Sequence, residues 1–305
     1  MKINFGCVML AIAVGTVSVA QGRNGVEFKS KDKATHYFDN SGEWQCSGVS
    51  GAVLPVNGDT VRRAGLGNDC TVYLRDNTTL AAKVIEFKGG YTSAQSRKYG
   101  FLRFAGDGYT FLMPSIAEGD TNADGNAFTY ASNPFKFGCC VSSTDRWFMY
   151  NDGLSSTSIA PLKMTNPDFT CGITSDGVNY MTFSKGTFNF CDPEGESNGS
   201  RLYIGALQSI PSTMNVSRDA TFRMYKGQLS MDTAAASVMT LNLAGTFDVA
   251  TSFAQKSGTW NIDGGTVTAQ SLSIGRGSLT ATNSASLAFS GTVTVEGSAA
   301  ARARS

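Results

Sequence analysis

The feature that most constrains this chain is a short, glycine-punctuated unit that recurs from about residue 180 onward. In each copy an apolar-x-apolar triplet is followed by small or polar residues and a glycine, and then by a second apolar-x-apolar triplet. The copies span residues 181–190, 222–231, 241–249, 260–267, 272–279 and 287–295. Alternation with a period of two is typical of strands with one buried face. Glycine at a fixed position allows either a corner with positive φ or a close approach of neighbouring backbone.

The spacing of this repeat leaves two all-β folds open. The marker glycines at 186, 227, 245, 265, 277 and 291 are separated by 41, 18, 20, 12 and 14 residues. Separations of 18 and 20 suit one coil of a solenoid, and strand pairs this short must stack on neighbours to bury their apolar faces. Separations of 12 and 14 equally suit hairpins. The sequence therefore predicts an all-β fold: a parallel β-helix (solenoid) first, with an antiparallel β-sandwich as the alternative.

Strand signals continue toward the N-terminus with less regularity. Alternating runs at 72–74, 84–87 and 101–104 lie between turn-forming Gly, Asp and Asn residues. No segment after residue 20 has a convincing helical period, and no linker rich in proline or charge marks a boundary near residue 180. We predict one continuous body, with an irregular, long-looped part at 21–180 and regular solenoid repeats at 181–305.

The first twenty residues predict export from the cell. Lys2 supplies a positive n-region, residues 8–19 form an apolar stretch, and small residues at 18–20 suit cleavage before Gln21. The apolar run is shorter than the roughly 20 residues that a membrane-spanning helix needs. We therefore predict residues 1–20 as a signal peptide and a mature chain without a transmembrane segment. Its expected location is secreted, extracellular, or associated with the cell surface or outer membrane.

The charge balance argues against a nucleic-acid partner. The formal net charge is +1, and charged residues make up only 16% of the chain. Binding to a phosphate backbone needs a clustered basic surface. We therefore predict no nucleic-acid binding.

Six cysteines follow residue 20, an even number that suits disulfide formation in an oxidising compartment. The favoured bridges are Cys46–Cys70 and Cys171–Cys191, because each pair flanks one or two strand-length segments. The adjacent cysteines at 139–140 are expected to have separate partners or to be buried. No CxxC motif occurs, which argues against a zinc site.

One segment predicts a calcium loop. Asp120, Asn122, Asp124 and Asn126, with a glycine between the last two, fit the start of the D-x-[DN]-x-[DN]-G pattern, whose oxygens converge on a hard cation. Ala131 occupies the position at which such loops carry a bidentate Glu. The alternative is a solvent-facing loop of turn-forming residues. Weakly bound calcium is the only cofactor that the sequence predicts.

Catalytic residues are not indicated by any motif. His36 is the only histidine, no G-x-S-x-G motif accompanies it, and it is expected at the surface. The carboxylates of Asp192, Glu194 and Glu196 could suggest glycoside hydrolysis. They alternate with proline and glycine, however, so an exposed turn is the better interpretation. We predict no catalytic residue.

Aromatic residues concentrate in the irregular middle of the chain, at Tyr130, Phe135, Phe137, 147–150 and Tyr180. If exposed, they could form a platform on which sugars stack. If buried, they form the core beneath long loops, which is the commoner arrangement.

Two segments resemble secreted bacterial β-helix proteins. Trp44 followed by the 53–61 segment (VLPVNGDTV) resembles the opening of such proteins, and residues 264–295 resemble autotransporter-associated β-strand repeats. The resemblance implies a right-handed parallel β-helix of the passenger type, which acts as a stalk, adhesin or scaffold. Members often continue into a membrane-anchoring part, so the chain is expected to be either a free secreted protein or a piece of a longer one.

Two classes of function follow from these observations. The first is a non-catalytic secreted or cell-surface β-helix protein with a structural or adhesive role, whose candidate partners are glycans or host and cell-surface components. The alternative is a carbohydrate-active β-helix enzyme (a polysaccharide lyase or hydrolase) or a glycan-binding module. Because fold alone does not decide function, the enzyme would need Asp, Arg or Lys clustered on adjacent coils along one groove.

Overall fold

The structure is a computed structural model of the chain. It describes residues 23, 25–29, 34–63, 69–82, 84–89, 91–93, 96–98, 100–113, 116–117, 135–138, 147–152, 158–159, 162–190, 201–204, 211–225, 228–231, 239–255, 258–275 and 277–295.

These residues form an all-β fold, which confirms the fold class predicted from the sequence. The strands are β1 (Val26–Phe28), β2 (Thr35–Tyr37), β3 (Trp44–Gln45), β4 (Thr60–Arg63), β5 (Cys70–Tyr73), β6 (Thr78–Thr79), β7 (Val84–Lys88), β8 (Tyr91–Ser93), β9 (Ser96–Lys98), β10 (Gly100–Ala105), β11 (Thr110–Met113), β12 (Ile116–Ala117), β13 (Phe135–Gly138), β14 (Trp147–Asp152), β15 (Ser158–Ile159), β16 (Leu162–Ile173), β17 (Asn179–Phe190), β18 (Arg201–Ile204), β19 (Ser212–Met224), β20 (Gln228–Met231), β21 (Met239–Leu243), β22 (Thr246–Gln255), β23 (Thr259–Asp263), β24 (Thr266–Ile274), β25 (Ser278–Thr282), β26 (Ser286–Phe289) and β27 (Val293–Val295).

Helical structure within the described residues is limited to a single 3-10 turn at Ser41–Glu43. The side chain of Asn40 caps this turn by accepting a hydrogen bond from the backbone N–H of Gly42. No helix in these ranges has the length and apolar character needed to cross a membrane.

Most strands fall into three rows of hydrogen-bonded neighbours, which we call ladders A, B and C. Ladder A contains β1, β4, β7, β13, β14, β18, β20 and the C-terminal parts of β22 and β24, followed by β27. Ladder B contains β2, β5, β10, parts of β16, β17 and β19, and then β21, β23 and β25. Ladder C contains β6, β11, the remaining parts of β16, β17 and β19, the N-terminal parts of β22 and β24, and β26.

Apart from one pass in the middle of the chain, the chain visits the three ladders in a fixed order. It runs through A, B and C in turn, and we call one such traverse a pass. Long strands such as β19 and β22 pair in two ladders, which joins the ladders into one 23-stranded sheet. In the last passes the ladder partners are 19 to 21 residues apart, as for Thr259 with Ser278, Thr246 with Thr266 and Leu272 with Val293.

One pass in the middle of the chain runs backward. β14 and β16 pair antiparallel with β13, β10 and β11 on one side, and with β18 and β17 on the other. The chain therefore crosses the ladders in the order A, C, B between residues 147 and 173, and we call this the reversed pass. It turns forward again at a tight turn where Gly177 has φ 79° and donates its N–H to the Thr174 carbonyl. Every described pairing between later strands is parallel.

The core consists of inward-facing side chains. Because the strands pair in register, these side chains lie in rows along each ladder. Phe222 is paired with Phe247 in ladder C, and their rings stack 4.9 Å apart with an interplanar angle of 13°. Phe253 of ladder A and Trp260 of ladder B stack at 4.6 Å as well, but across the interior between two ladders and not along one. Because neighbouring strands lie about 4.7–4.9 Å apart, identical inward positions place flat rings in contact.

The marker glycines of the repeat are explained by close packing of backbone. A Cβ at Gly245 would lie 2.1 Å from the carbonyl oxygen of Ser217, and one at Gly265 would lie 2.7 Å from that of Leu243. Both glycines stand where the chain passes from ladder B to ladder C. Gly186 combines a similar approach with a φ of +95°. At Gly245 and Gly265, glycine is therefore needed because successive passes come too close together to leave room for a Cβ.

Candidate functional site

The outward face of ladder B repeats the same polar groups from one pass to the next. In β19, β21 and β23 the outward residues begin with a threonine and continue two residues later with an asparagine. The register pairs the threonines with one another and the asparagines with one another. The two rows consist of Thr213, Thr240 and Thr259, and of Asn215, Asn242 and Asn261.

The asparagines, which we call the asparagine ladder, are joined by hydrogen bonds between their side chains. Asn261 donates from Nδ2 to Oδ1 of Asn242 over 2.9 Å, and Asn242 donates in the same way to Asn215 over 2.9 Å. Asn215 in turn donates to the Thr182 hydroxyl over 3.0 Å. Parallel in-register strands bring identical amides within bonding distance of each other. Since an amide has two donors and an acceptor with two lone pairs, each asparagine retains polar capacity toward solvent.

An open groove of about 390 Å³ lies beside the asparagine ladder. Small side chains at Ser217 and Ala244 form part of its lining, and Asp263 contributes a carboxylate. One oxygen of Asp263 accepts hydrogen bonds from the Thr282 hydroxyl, over 3.2 Å, and from the Asn283 amide. The side chains that line the groove are amides, a hydroxyl, aliphatic groups and this one carboxylate. Such a surface suits an uncharged, hydroxyl-rich ligand better than an anionic one.

Charged residues on the outer faces of the ladders form ion pairs between neighbouring strands. The guanidinium of Arg103 contacts both carboxylate oxygens of Asp168, at 2.8 and 2.6 Å. Arg223 bonds to the Tyr225 hydroxyl at 3.2 Å and to Asp248 at 2.9 Å, and these two bonds raise the pKa of Arg223. A guanidinium with a raised pKa stays protonated at all physiological pH values. These pairs therefore join strands and do not supply a proton donor or acceptor.

His36 is buried, which corrects the expectation that it lies at the surface. It is the middle residue of β2 and is 8% exposed. Its Nδ1 lies 3.2 Å from a carboxylate oxygen of Glu43, and its ring meets the edge of the Phe28 ring at 5.9 Å. The alternation of β2 turns this side chain inward despite its polar neighbours in sequence. His36 thus packs inside the first strands of the fold, against Phe28 and Glu43.

The cysteines described by the structure are buried thiols, so the predicted Cys46–Cys70 bridge is not formed. Cys70 occupies an inward position of β5 beside Leu102, where it packs as a small apolar residue. Cys171 is also a thiol, and burial raises its pKa to about 12. Its predicted partner Cys191 lies outside the described residues, as do the cysteines at 139–140. A thiol with this pKa is protonated at neutral pH and is a poor nucleophile.

The predicted calcium ligands Asp120, Asn122, Asp124 and Asn126 lie outside the described residues. The same is true of the acidic segment at 192–196. Within the described ranges, no group of three or more His, Cys, Asp or Glu side chains could hold a metal ion. Calcium binding by the 120–126 segment stays a prediction.

Of the aromatic residues in the middle of the chain, Phe137 lies in the core, as the commoner interpretation predicted. It is 1% exposed, stacks on Phe87 at 5.7 Å and meets the Phe169 ring edge-on at 5.1 Å. Tyr180 is half-buried on ladder B. Tyr130 lies outside the described residues, as do the side chains of Phe135 and of residues 147–150.

The asparagine ladder is the feature that reasoning from the sequence missed. Each of its members lies between two inward apolar residues, in Met-Asn-Val, Leu-Asn-Leu and Trp-Asn-Ile triplets. The signal that could have revealed it is the return of one amide residue at the same place in successive copies of the repeat.

Comparisons with known proteins add no further guidance. The resemblance to autotransporter-associated β-strand repeats therefore stays a prediction, and function has to be argued from geometry. No protein-family model, curated protein or solved structure matches this chain.

Proposed function

We propose that this chain is a secreted or cell-surface right-handed parallel β-helix with a structural and adhesive, non-catalytic role. The recurrence of ladders A, B and C in a fixed order supports the helix, since each pass then corresponds to one coil. Connections between parallel strands of one sheet are almost always right-handed, which supports the proposed hand.

The pairing of consecutive strands favours the β-helix over the β-sandwich. Hairpins of a sandwich would pair β23 with β24 and β24 with β25. Instead, β23 pairs with β25 in ladder B, and β24 pairs with β26 and β27 in ladders C and A. Each strand thus pairs with the strand that lies one pass later, as solenoid stacking requires.

The single observation that carries the adhesive role is the repetition of hydrogen-bonding groups on ladder B. Thr240 and Asn242 recur one pass later as Thr259 and Asn261, in register and on the same outward face. A surface that offers the same hydroxyl and amide at regular intervals can bind a polymer whose own hydroxyls recur. The groove beside it is lined by amides, a hydroxyl, aliphatic groups and the single carboxylate of Asp263, and such a lining favours neutral glycans over anionic ones.

The test is binding to a panel of immobilised neutral and acidic polysaccharides, followed by an assay for new reducing ends and for the absorbance of unsaturated products. We expect retention on at least one neutral glycan without turnover. The triple variant Thr240→Ala/Asn242→Ala/Asn261→Ala should lose retention. The matched variant Thr221→Ala/Thr246→Ala/Thr266→Ala, on ladder C, should keep it.

Two outcomes would contradict this proposal. Turnover of any polysaccharide would favour the carbohydrate-active enzyme. Equal loss of retention in both variants, with circular dichroism showing that both are folded, would show that ladder B has no special role in adhesion.

A further inference from the structure

A half-buried tyrosine stands at one end of the polar rows on ladder B. Tyr180 is the second residue of β17, and its register partner one pass later is Thr213. Thr213 pairs with Thr240, and Thr240 pairs with Thr259. Tyr180 therefore begins the same outward row that the three threonines continue.

The asparagine ladder ends on the same strand as this tyrosine. Its last hydrogen bond runs from the Asn215 amide to the hydroxyl of Thr182, which lies two residues after Tyr180 in β17. Side chains two residues apart in a strand point to the same face. The tyrosine and the bonded amides thus belong to one outward surface, which we call the ladder B track. It consists of Tyr180, Thr213, Thr240 and Thr259 in one row, and of Thr182, Asn215, Asn242 and Asn261 in the other.

The Tyr180 side chain leans back across the reversed pass, over a glycine. Gly172 pairs with Tyr180 and occupies an outward position of β16, yet it is buried. A Cβ at Gly172 would lie 2.9 Å from the Tyr180 hydroxyl oxygen and 2.6 Å from the Gly100 carbonyl oxygen. The absence of a side chain at Gly172 therefore leaves room for the tyrosine to lie along the surface of the sheet. Because Tyr180 is only half-buried, part of its side chain stays accessible there.

The eight positions of the ladder B track are all uncharged. They offer one aromatic ring, hydroxyls and amides. Charged side chains on the neighbouring parts of ladder B are held in ion pairs, Asp168 with Arg103 and Lys185 with Asp107. The track itself therefore offers no ion pair to an anionic polymer, whereas its groups match the C–H and hydroxyl groups of a neutral sugar.

We propose that the ladder B track binds an extended, β-linked neutral glycan whose pyranose rings carry equatorial hydroxyls, and that one of its sugars packs on Tyr180. Such a ring has two faces made of C–H groups, which pack on an aromatic side chain. Its rim of hydroxyls can bond to the Thr and Asn side chains of the track. The inference rests on the proposed adhesive function and narrows the class of its ligand.

The spacing of the track fixes the direction of the glycan. Successive positions along each row lie one strand spacing apart, about 4.7–4.9 Å, and successive sugars of an extended β-linked chain advance by a similar distance. The glycan therefore lies parallel to the stack of passes. The four positions from Tyr180 to Thr259 span three intervals, or roughly 14–15 Å, which is room for about four sugars.

The proposal is tested by calorimetric titration of the full chain with cello- and xylo-oligosaccharides of increasing length. Malto-oligosaccharides, whose α-linked chains coil, are the reference and should bind more weakly. Affinity for the β-linked series should rise with length and level off at about four sugars, because longer chains extend beyond the track. Tyr180→Ala should weaken binding about tenfold through loss of the ring. Tyr180→Phe, which keeps the ring, should retain most of the affinity.

The matched control is Tyr225→Ala, which removes a half-buried tyrosine that follows β19 at the end of ladder C and should leave affinity unchanged. If circular dichroism shows that Tyr180→Ala is unfolded, Tyr180→Leu, which still covers Gly172 but has no ring, takes its place and should weaken binding to a similar extent.

Three outcomes would overturn this inference and leave the adhesive role standing. They are unchanged affinity in a folded Tyr180 variant, equal weakening by Tyr225→Ala, and retention of some other neutral glycan without binding to either β-linked series. If the chain binds no neutral glycan, immobilised or soluble, both the inference and the proposed function are wrong.

Discussion

The side-chain amide of Asn261 donates a 2.9 Å hydrogen bond to the side-chain oxygen of Asn242, one pass earlier on ladder B. Nineteen residues of chain separate the two amides, yet parallel pairing in register places them side by side. The same relationship links Asn242 to Asn215. The fold is thus stabilised by contacts between residues that occupy equivalent positions in successive passes.

Removal of the central amide is expected to cost more stability than removal of the terminal one. Asn242→Ala loses two hydrogen bonds and Asn261→Ala loses one. At roughly 0.5–1.5 kcal/mol per bond, and at the lower end because the ladder faces solvent, the first change should cost about 1–2 kcal/mol. Urea unfolding of both variants measures the difference. Equal losses of unfolding free energy in the two variants would contradict a hydrogen-bonded ladder with Asn242 at its centre.

The stacked phenylalanines should contribute strongly to stability. Phe247 is fully buried and stacks on Phe222, so Phe247→Ala should lower the free energy of unfolding by about 3–5 kcal/mol. Phe247→Leu, which keeps much of the volume, should cost less. Chemical unfolding of the pair checks the prediction, and a loss below 1 kcal/mol for Phe247→Ala would show that the residue is not in a packed core.

A methyl group at the corner between ladders B and C should not be tolerated. In Gly245→Ala the new Cβ would overlap the backbone oxygen of Ser217, so successive passes must separate, at a cost of about 1–3 kcal/mol. Gly108→Ala is the comparison: it meets no atom within 4 Å and suffers only the strain of its φ of +73°. Thermal melts should place Gly245→Ala below Gly108→Ala. The reverse order would refute close approach as the reason for this glycine.

The buried thiol of Cys171 should make stability fall at alkaline pH. Burial raises its pKa from 9.0 to about 12. As the pH rises, the thiol therefore loses its proton in the unfolded state before it does so in the folded state. The contribution is complete below about pH 9 and is lost as the pH rises toward 12. Unfolding of the wild type and of Cys171→Ala, compared at pH 7 and pH 11, isolates this effect. The difference in the free energy of unfolding between the wild type and Cys171→Ala should be smaller at pH 11 than at pH 7. A larger difference at pH 11 would contradict the raised pKa of Cys171.

Much of the regular half of the fold could be predicted from its sequence. The alternation placed Phe222 and Phe247 inward, and the glycine marked the corner at residue 245. The physical reason for that glycine could not be decided, because a positive φ and a close approach leave the same residue in the sequence. The structure resolves this in favour of close approach.

The reversed pass could not be predicted, because alternation is the same for parallel and antiparallel neighbours. Leu162 to Ile173 alternates as β17 does, yet one strand runs backward and the other forward. His36 was placed at the surface because its neighbours in sequence are polar, whereas its place in β2 turns it inward. The asparagine ladder could not be predicted from one strand alone, because a single Asn between two apolar residues looks like any outward polar residue.

The central claim is that each strand of the C-terminal half pairs with the strand one pass later. Disulfide formation between introduced cysteines tests it directly, with the cross-links identified by mass spectrometry of peptides. The variant Thr246→Cys/Thr266→Cys joins register partners on ladder C, whose strand separation of about 4.7–4.9 Å suits a disulfide. The variant Asn261→Cys/Thr268→Cys joins positions that would face each other in a hairpin of β23 and β24. Stacked passes predict a cross-link in the first variant and none in the second, and the opposite result would contradict the account.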